Sequence, residues 1–176
     1  MLTSVCEDQL RQRLVLAMHV DSHRQPDIWG IYRDGRLLAE LLDAFAATLG
    51  ALRATHVAGI ESKGFVLAAG LASRLGTGFV PVRKGLLANR MVGRLHVEVG
   101  RDGYSGADFE LCVQEHALYG ARVVLVDDWI QTGSSARAAA KLVHAAGGVL
   151  LGMAVIFHDC LEAPPVEPLH YALRTK

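Results

Sequence analysis

Hydrophobic positions along the chain follow two periods, and these alternate from one segment to the next. In residues 7–18 and 36–49 the apolar side chains recur every three to four positions, which predicts amphipathic helices. Short unbroken apolar runs rich in β-branched residues predict strands buried on both faces. These runs lie at residues 55–60, 78–82, 123–126 and 149–157. Small residues mark two further predicted helices, at residues 65–75 and 136–146. Strands that alternate with helices indicate a Rossmann-like α/β domain with a mainly parallel sheet.

Three segments depart from this pattern. Residues 19–36 are polar and are interrupted by one proline and two glycines, which predicts a loop with little regular structure. Residues 85–106 contain five glycines, and a segment of this length in a compact domain is typical of a functional lid. Residues 108–113 alternate between polar and apolar and predict a half-exposed strand. With 176 residues, the chain fits a single domain.

Candidate chemistry is concentrated after the apolar run 123–126. Asp127 and Asp128 follow where the predicted strand leaves the sheet, and at least one carboxylate can accept hydrogen bonds from sugar hydroxyls or hold a water of Mg²⁺. A hydroxyl-rich turn before the helix 136–146 suits a phosphate dianion, because free N–H groups, hydroxyls and the helix dipole meet there. The turn consists of Thr132, Gly133, Ser134 and Ser135. A ribose 5-phosphate would use both parts, whereas a helix cap beside a solvated strand end is the alternative for each residue alone.

A second polar turn repeats this order of strand, turn and helix. Glu61, Ser62 and Lys63 lie between a predicted strand and a predicted helix, so they offer another helix N-terminus to an anion. The alternative for Lys63 is a solvated surface lysine. Arg83 and Lys84 follow the next predicted strand at its carboxyl end, where open α/β sheets bind their ligands. Two adjacent cations there are suited to a diphosphate.

Composition excludes several classes of function. The formal net charge is zero at pH 7, so no basic excess indicates nucleic acid or an anionic membrane as a partner. The three cysteines, Cys6, Cys112 and Cys160, are odd in number and widely spaced, which favours a reducing cytoplasm over a disulfide framework or a zinc site. No apolar run reaches the roughly 18 residues of a membrane span. Neither a dinucleotide-binding fingerprint nor a P-loop string occurs in the sequence.

Two stretches resemble a known family. Residues 123–136, VVLVDDWIQTGSSA, resemble the phosphoribosyl-diphosphate signature of the type I phosphoribosyltransferases. Residues 59–84, GIESKGFVLAAGLASRLGTGFVPVRK, are similar more narrowly to adenine phosphoribosyltransferases. The two matches have the family's order and separation, and with weaker similarity between them they cover roughly half of the chain, which is more specific than one short motif.

The resemblance implies a fold and a reaction. It implies a three-layer domain with a small N-terminal hood, about residues 1–36, and a flexible lid, about residues 85–106, that excludes water from the reaction centre. A purine-like base would displace pyrophosphate from 5-phosphoribosyl 1-diphosphate, with Mg²⁺ as cofactor, in a homodimer. Asp127 and Asp128 would bind the ribose hydroxyls and the turn 132–135 the 5-phosphate. A phosphoribosyltransferase for another base and a non-catalytic regulator that binds the same ligands are the alternatives.

The sequence departs from the family at three places. The pyrophosphate turn carries Lys63 where the family has arginine, which keeps the charge but loses the bidentate fork. Trp129 stands where the family usually has an aliphatic residue against the base, so it either stacks on the base or packs in the core; Ile130 and Gln131 continue this binding loop. The family lid ends in Glu-Tyr-Gly, but this chain has the three residues Tyr104, Ser105 and Gly106. We therefore expect Asp102 or Tyr104 to replace the catalytic glutamate, and adenine to be used slowly or not at all.

Overall fold

A central sheet organises the part of the chain that the computed structural model describes, residues 3–4, 7–20, 26–85, 93–103, 105–159 and 164–174. Its eight strands are β1 Thr3–Ser4, β4 His56–Ile60, β5 Gly78–Lys84, β6 Leu95–Arg101, β7 Asp108–Gln114, β8 Arg122–Ile130, β9 Val149–His158 and β10 Leu169–Arg174. They lie in the order β1-β10-β9-β8-β4-β5-β7-β6. Neighbours are parallel from β1 to β5, whereas β7 pairs antiparallel with both β5 and β6. Two short strands, β2 His19–Val20 and β3 Pro26–Asp27, form a separate antiparallel pair.

Helices cover both faces of the sheet. They are α1 Asp8–Ala17, α2 Trp29–Arg33, α3 Gly35–Leu49, α4 Lys63–Leu75 and α5 Ser134–Ala145. Along β8, Val123 and Leu125 pack in the core that contains α5, whereas Val124 and Val126 pack in the core that contains α1 to α4. This alternation is what a strand buried on both faces requires. The three-layer fold with a mainly parallel sheet is therefore confirmed, and the division into domain, hood and lid stays a prediction.

The expectation of a loop with little regular structure over residues 19–36 is wrong, because His19–Val20 pairs with Pro26–Asp27 and the second half is mostly helical. Residues Trp29–Arg33 form α2, in which Ile31 is fully buried, and the preceding Ile28 is 1% exposed. Burial of two isoleucines against the neighbouring helices stabilises a turn of helix that the local sequence, with its glycine, does not favour.

The expected lid also contains regular structure. Leu95–Arg101 is strand β6, and it pairs with β7 along its whole length, from Leu95 opposite Gln114 to Arg101 opposite Asp108. Pairing with β7 stabilises this strand, and the local sequence did not predict it because the partner strand follows later in the chain. Residues 86–92 and Tyr104 lie outside the described residues.

Two smaller differences concern helix and strand ends. Gly50 does not end the second predicted helix by a left-handed turn; its φ is −57°, the chain continues as a 3₁₀ helix through Leu52, and Arg53 then adopts a φ of 53°. The C-terminal strand Leu169–Arg174 was not predicted at all, although it pairs with β9 in the sheet. Within the described residues, every helix is too short or too polar to cross a membrane.

Candidate active site

Nearly all of the predicted site residues lie at one edge of the sheet. A cleft of about 170 Å³ opens beyond the carboxyl end of β8, as expected for an open α/β sheet. Its lining is Lys84, Asp102, Asp127, Asp128, Trp129, Ile130, Gln131, Thr132, Gly133, Ser134, Ser135 and Ala136. The structure thus brings Asp102 and Lys84, which are distant in sequence, to the acid pair and the hydroxyl-rich turn. Tyr104 lies outside the described residues.

The sequence pattern predicted that the acid pair follows the strand. In the structure, Asp127 and Asp128 lie within strand β8 instead. Strand β8 continues through Ile130, because Trp129 and Ile130 pair with Phe157 and His158 of β9. Strand geometry directs adjacent side chains to opposite faces, so Asp127 and Asp128 differ in environment. Asp127 is 7% exposed, and its Oδ1 accepts a hydrogen bond of 2.9 Å from the N–H of Asp128.

Burial is the main reason why the pKa of Asp127 is raised well above its usual range, and the neighbouring charge of Asp128 adds to it. Asp128 has an ion-pair partner instead: Lys63 Nζ lies 3.2 Å from its Oδ2. The two carboxyl groups are therefore unequal. Burial disfavours the charged form of Asp127, whereas Asp128 pairs with Lys63 through one carboxylate oxygen and keeps further acceptor sites for a ligand.

Lys63 is not a solvated surface lysine. Helix α4 begins at Lys63, two residues before the predicted start, and the lysine side chain is only 29% exposed. The ring of Trp29 lies 5.8 Å from its Nζ, a favourable position for a cation–π contact. The hydroxyl of Tyr32 donates to the carbonyl oxygen of Lys63 over 3.3 Å. Helix α2 thus brings Trp29 and Tyr32 to the site, although neither was among the predicted site residues.

Tyr32 is close enough to the acid pair to be affected by its charge. The pKa of the Tyr32 hydroxyl is raised, first by burial and then by the negative charges of Asp128 and Asp127. The signal in the sequence was weak, because aromatic residues in a polar segment are common. Only the packing of α2 against the start of α4 shows that they border the acids.

Glu61 joins the second polar turn to the end of β5. Strand β5 extends through Lys84, beyond the predicted end at residue 82. One carboxylate oxygen of Glu61 accepts the N–H of Lys84 at 2.8 Å, and the other lies 3.4 Å from Nη2 of Arg83. Arg83 therefore points to Glu61, whereas Lys84 lines the cleft. Ser62 is exposed at the N-cap of α4 and its side chain makes no capping hydrogen bond, so no hydroxyl competes with an anion for the first N–H groups of that helix.

The hydroxyl-rich turn is shaped by the left-handed conformation of Gly133, whose φ is 75°. The hydroxyls of Thr132 and Ser134 lie 3.0 Å apart, and Ser134 N–H donates to Thr132 Oγ1 over 3.4 Å. Residues 132–135, the turn predicted to bind a phosphate, are called the phosphate cup below. Arg137, which the sequence analysis missed, donates from Nη2 to the carbonyl oxygen of Thr132 over 2.8 Å.

The turn between β6 and β7 rests on this cup. A Cβ atom on Gly103 would lie 2.9 Å from Cβ of Thr132, so the backbone of the turn is in close contact with the cup. Asp102 Oδ1 accepts hydrogen bonds from both the N–H and the hydroxyl of Ser105, at 2.7 and 2.9 Å. Asp102 thus borders the cleft with one carboxylate oxygen already bound within its own turn.

Trp129 lines the cleft and also packs against the protein. Its ring centroid lies 6.2 Å from that of Phe157, at an angle of 45°. Its Nε1 is buried and has no hydrogen-bond partner among the described residues. Ile130 is buried in the core on the α5 side, and Gln131 is exposed. The stacking and packing interpretations of Trp129 both stay open.

The fold and this arrangement of acids, cup and cationic turns agree with what sequence models of protein families detect. The family described as phosphoribosyl transferase domain matches residues 31–168. The chain therefore belongs to the phosphoribosyltransferase family, as a type I member, and the resemblance stated above is confirmed.

Among its relatives are adenine phosphoribosyltransferases. That of a Synechococcus strain is 41% identical over 159 residues, which are 84% of this chain and 85% of the relative. That of Myxococcus xanthus is 39% identical over 141 residues, 78% of this chain and 73% of the relative. The crystal structure of the Rhodothermus marinus enzyme superposes with a TM-score of 0.82 at 26% identity, covering 96% of this chain and 100% of the other. The Saccharomyces cerevisiae enzyme, complexed with an imino-altritol bisphosphate and adenine, has a TM-score of 0.75 at 28% identity, with 96% and 90% covered.

Proposed function

We propose that this protein transfers the 5-phosphoribosyl group of 5-phosphoribosyl 1-diphosphate to a purine-like base and releases pyrophosphate. The observation that carries the proposal is the single cleft in which an acid pair, a phosphate cup and a lysine at a neighbouring strand end meet. Membership of the family supports the reaction, and the names of the relatives support adenine as the base. The product would be a nucleoside 5-monophosphate.

Each part of the substrate has a matching part of the cleft. The cup formed by Thr132, Gly133, Ser134 and Ser135 binds the 5-phosphate through N–H groups, hydroxyls and the positive end of α5. Asp127 and Asp128 accept hydrogen bonds from the ribose hydroxyls. The diphosphate lies against the turn of Glu61, Ser62 and Lys63 and near the cations of Arg83 and Lys84. Trp129, Ile130 and Gln131 form the loop beside the base.

Substrate binding exchanges one ion pair for two interactions. In the ligand-free protein Lys63 neutralises Asp128 over 3.2 Å. When the ribose hydroxyls donate to Asp128, Lys63 turns to the diphosphate, because the diphosphate carries more negative charge than a single carboxylate. The turn at Gly103 meanwhile covers the cup and keeps water from the activated sugar.

Mg²⁺ fits this cleft, because it binds through one or two carboxylates together with substrate phosphates and keeps several waters. The carboxylates of Asp127 and Asp128 would hold it, directly or through water. When bound, the ion would neutralise negative charge on the pyrophosphate leaving group. The carboxyl groups themselves orient the ribose.

We also infer a homodimer and a cytoplasmic location. The family resemblance supports the dimer, and the small, odd number of widely spaced cysteines supports a reducing compartment. Light scattering during size-exclusion chromatography tests the first inference, with a monomer at all concentrations as the contrary outcome.

Turnover of labelled 5-phosphoribosyl 1-diphosphate with a panel of bases tests the proposed reaction. Nucleoside monophosphate formed from adenine or another purine supports it, and the preferred base decides between adenine and a different substrate. Tight binding of the substrate without turnover on any base indicates the regulator instead. If the purified protein neither binds nor converts the substrate in the presence of Mg²⁺, the proposal is wrong.

Gly103→Val should separate the turn from the cup. The new side chain begins 2.9 Å from Thr132, and overpacking of this kind costs about 1–3 kcal/mol, so kcat/KM should fall at least about fivefold. Hydrolysis of the substrate without a base should rise as water enters. Ala107→Val, an exposed change in the same turn, is the matched control. Equal kinetics of the two variants would argue against closure by this turn.

Trp129 can be tested by its fluorescence. Trp29→Phe leaves Trp129 as the sole tryptophan and keeps an aromatic ring near Lys63. Stacking on a base should quench its emission, and Trp129→Leu should weaken base binding by roughly 1–3 kcal/mol. If calorimetry shows that a base or nucleotide binds while the emission stays constant, Trp129 is a packing residue.

A further inference from the structure

Arg137 stands behind the phosphate cup and outside the cleft. It lies in the first turns of α5 and is exposed, and it does not line the cleft that contains the acid pair. It lines instead a second cavity of about 200 Å³, together with Lys141 and the end of β6 at Arg101, and this cavity shares only Ser134 with the cleft. Its Nη2 donates to the carbonyl oxygen of Thr132 over 2.8 Å. This contact reaches back over five positions of the chain, so it is additional to the helix hydrogen bonds.

The bond to Thr132 fixes the orientation of one peptide group. In a trans peptide the C=O of one residue and the N–H of the next lie in one plane and point in opposite directions. A donor that holds the Thr132 carbonyl at the back of the cup therefore directs the N–H of Gly133 to the front. Glycine has the widest choice of backbone conformations, so this peptide group is the one in the cup that most needs such a restraint.

The surroundings of Gly133 agree with a restrained position. A Cβ atom there would lie 2.9 Å from Nη1 of Arg137 and 3.0 Å from Cβ of Pro165. The backbone of Gly133 is thus enclosed by the guanidinium group on one side and by the segment before β10 on the other. Neither the guanidinium group nor the proline needs to touch the ligand to affect how it is bound.

We propose that Arg137 is a positioning residue, which holds the peptide between Thr132 and Gly133 so that the Gly133 N–H is presented to the ligand's phosphate. The inference rests on the proposed function, since it assumes that the cup binds the 5-phosphate. Arg137 acts through the backbone of the cup and touches neither the sugar nor the base.

Arg137→Ala should raise the KM for 5-phosphoribosyl 1-diphosphate roughly tenfold, the effect of losing one hydrogen bond to a charged donor. The kcat at saturating substrate should change by less than about twofold, because the interaction supports ground state and transition state alike. Arg137→Lys keeps the charge and one donor, and it should restore part of the affinity.

Lys141→Ala is the matched control. Lys141 lies one turn further along α5 and lines the same cavity. Its side chain is 72% exposed, and its Nζ lies 3.7 Å from a carboxylate oxygen of Glu98. Its removal takes away the same charge without touching the cup, so its KM should stay near that of the unchanged protein.

The contact between the Gly133 N–H and a bound phosphate can be followed by NMR. Titration of ¹⁵N-labelled protein with ribose 5-phosphate should move the amide resonance of Gly133 strongly in the unchanged protein and in Lys141→Ala. The shift should be much smaller in Arg137→Ala, even at concentrations that saturate the cup.

The outcomes separate the two proposals. If the unchanged protein binds neither ribose 5-phosphate nor its diphosphate, the proposed function fails. If it binds them and Arg137→Ala has an unaltered KM, or only a lower melting temperature, Arg137 merely stabilises the helix and the inference is overturned. Equal weakening in Arg137→Ala and Lys141→Ala would also overturn it, because long-range charge would then explain the effect.

Discussion

Adenine turnover by the purified protein is expected to be about 10²–10⁴-fold slower than is usual for an enzyme that has a positioned general acid or base at this step. The resembled lid places a glutamate at the purine nitrogen that changes protonation, and this chain has Tyr104 at the aligned position. Within the expected lid, Asp102 is the carboxylate nearest in sequence to Tyr104, and it borders the cleft. Steady-state kinetics with adenine and 5-phosphoribosyl 1-diphosphate measure the rate.

Variants of the turn identify the group that replaces the glutamate. Asp102→Asn should lower the residual rate further if this carboxylate acts on the base. Because Asp102 also accepts two hydrogen bonds from Ser105, Ser105→Ala is the control for a loosened turn. The double change Tyr104→Glu and Ser105→Tyr should raise the rate with adenine, because it restores the family string. A rate that is ordinary for the family, or one that survives both Asp102→Asn and Tyr104→Phe, contradicts this explanation.

Replacement of Asp127 by Asn should weaken substrate binding and stabilise the fold at the same time. Loss of a charge-assisted hydrogen bond to the ribose costs roughly 1.5–3 kcal/mol, which calorimetry with 5-phosphoribosyl 1-diphosphate can measure. Asp128→Asn and Thr132→Val should weaken binding in the same way. Unchanged affinity in all three variants would remove the basis of the proposed function.

The stability gain follows from the raised pKa of Asp127, which burial causes in the first place. Between the ordinary aspartate pKa and the raised one, the folded protein holds a proton that the unfolded chain has released. The free energy of unfolding therefore falls as pH rises through this window, by up to about 1.4 kcal/mol per pH unit. Asp127→Asn removes this dependence, so in metal-free buffer it should be more stable than the unchanged protein at neutral pH.

Asp128→Asn serves as the comparison for stability. Asp128 is paired with Lys63, and its replacement leaves that lysine without the ion-pair partner that it has in the structure. No stabilisation is expected. Denaturant unfolding of both variants at several pH values would contradict the assignment if Asp127→Asn were no more stable than Asp128→Asn near neutral pH.

The parts of the site that depend on neighbouring residues were predictable from the sequence, and those that join distant residues were not. The phosphate cup was predictable, because Gly133, its hydroxyl neighbours and the helix after them form a local unit in which composition and conformation agree. The ion pair between Lys63 and Asp128 was not predictable, because it joins residues that are 65 positions apart. The same holds for Trp29 and Tyr32, whose role depends on how α2 packs against α4.

The sequence alone is enough to predict the alternation of helices and buried strands, the order of the motifs and the family. These properties depend on hydrophobic period and on short strings, which act over a few neighbouring residues. Only the folded structure shows that Asp127 and Asp128 lie within β8, that residues Leu95–Arg101 form a strand, and that Arg137 donates to the carbonyl oxygen of Thr132. Each of these features requires a partner from another part of the chain. The partner is a β-strand, a buried surface or a carbonyl oxygen, and its contact contributes free energy only after the chain has folded.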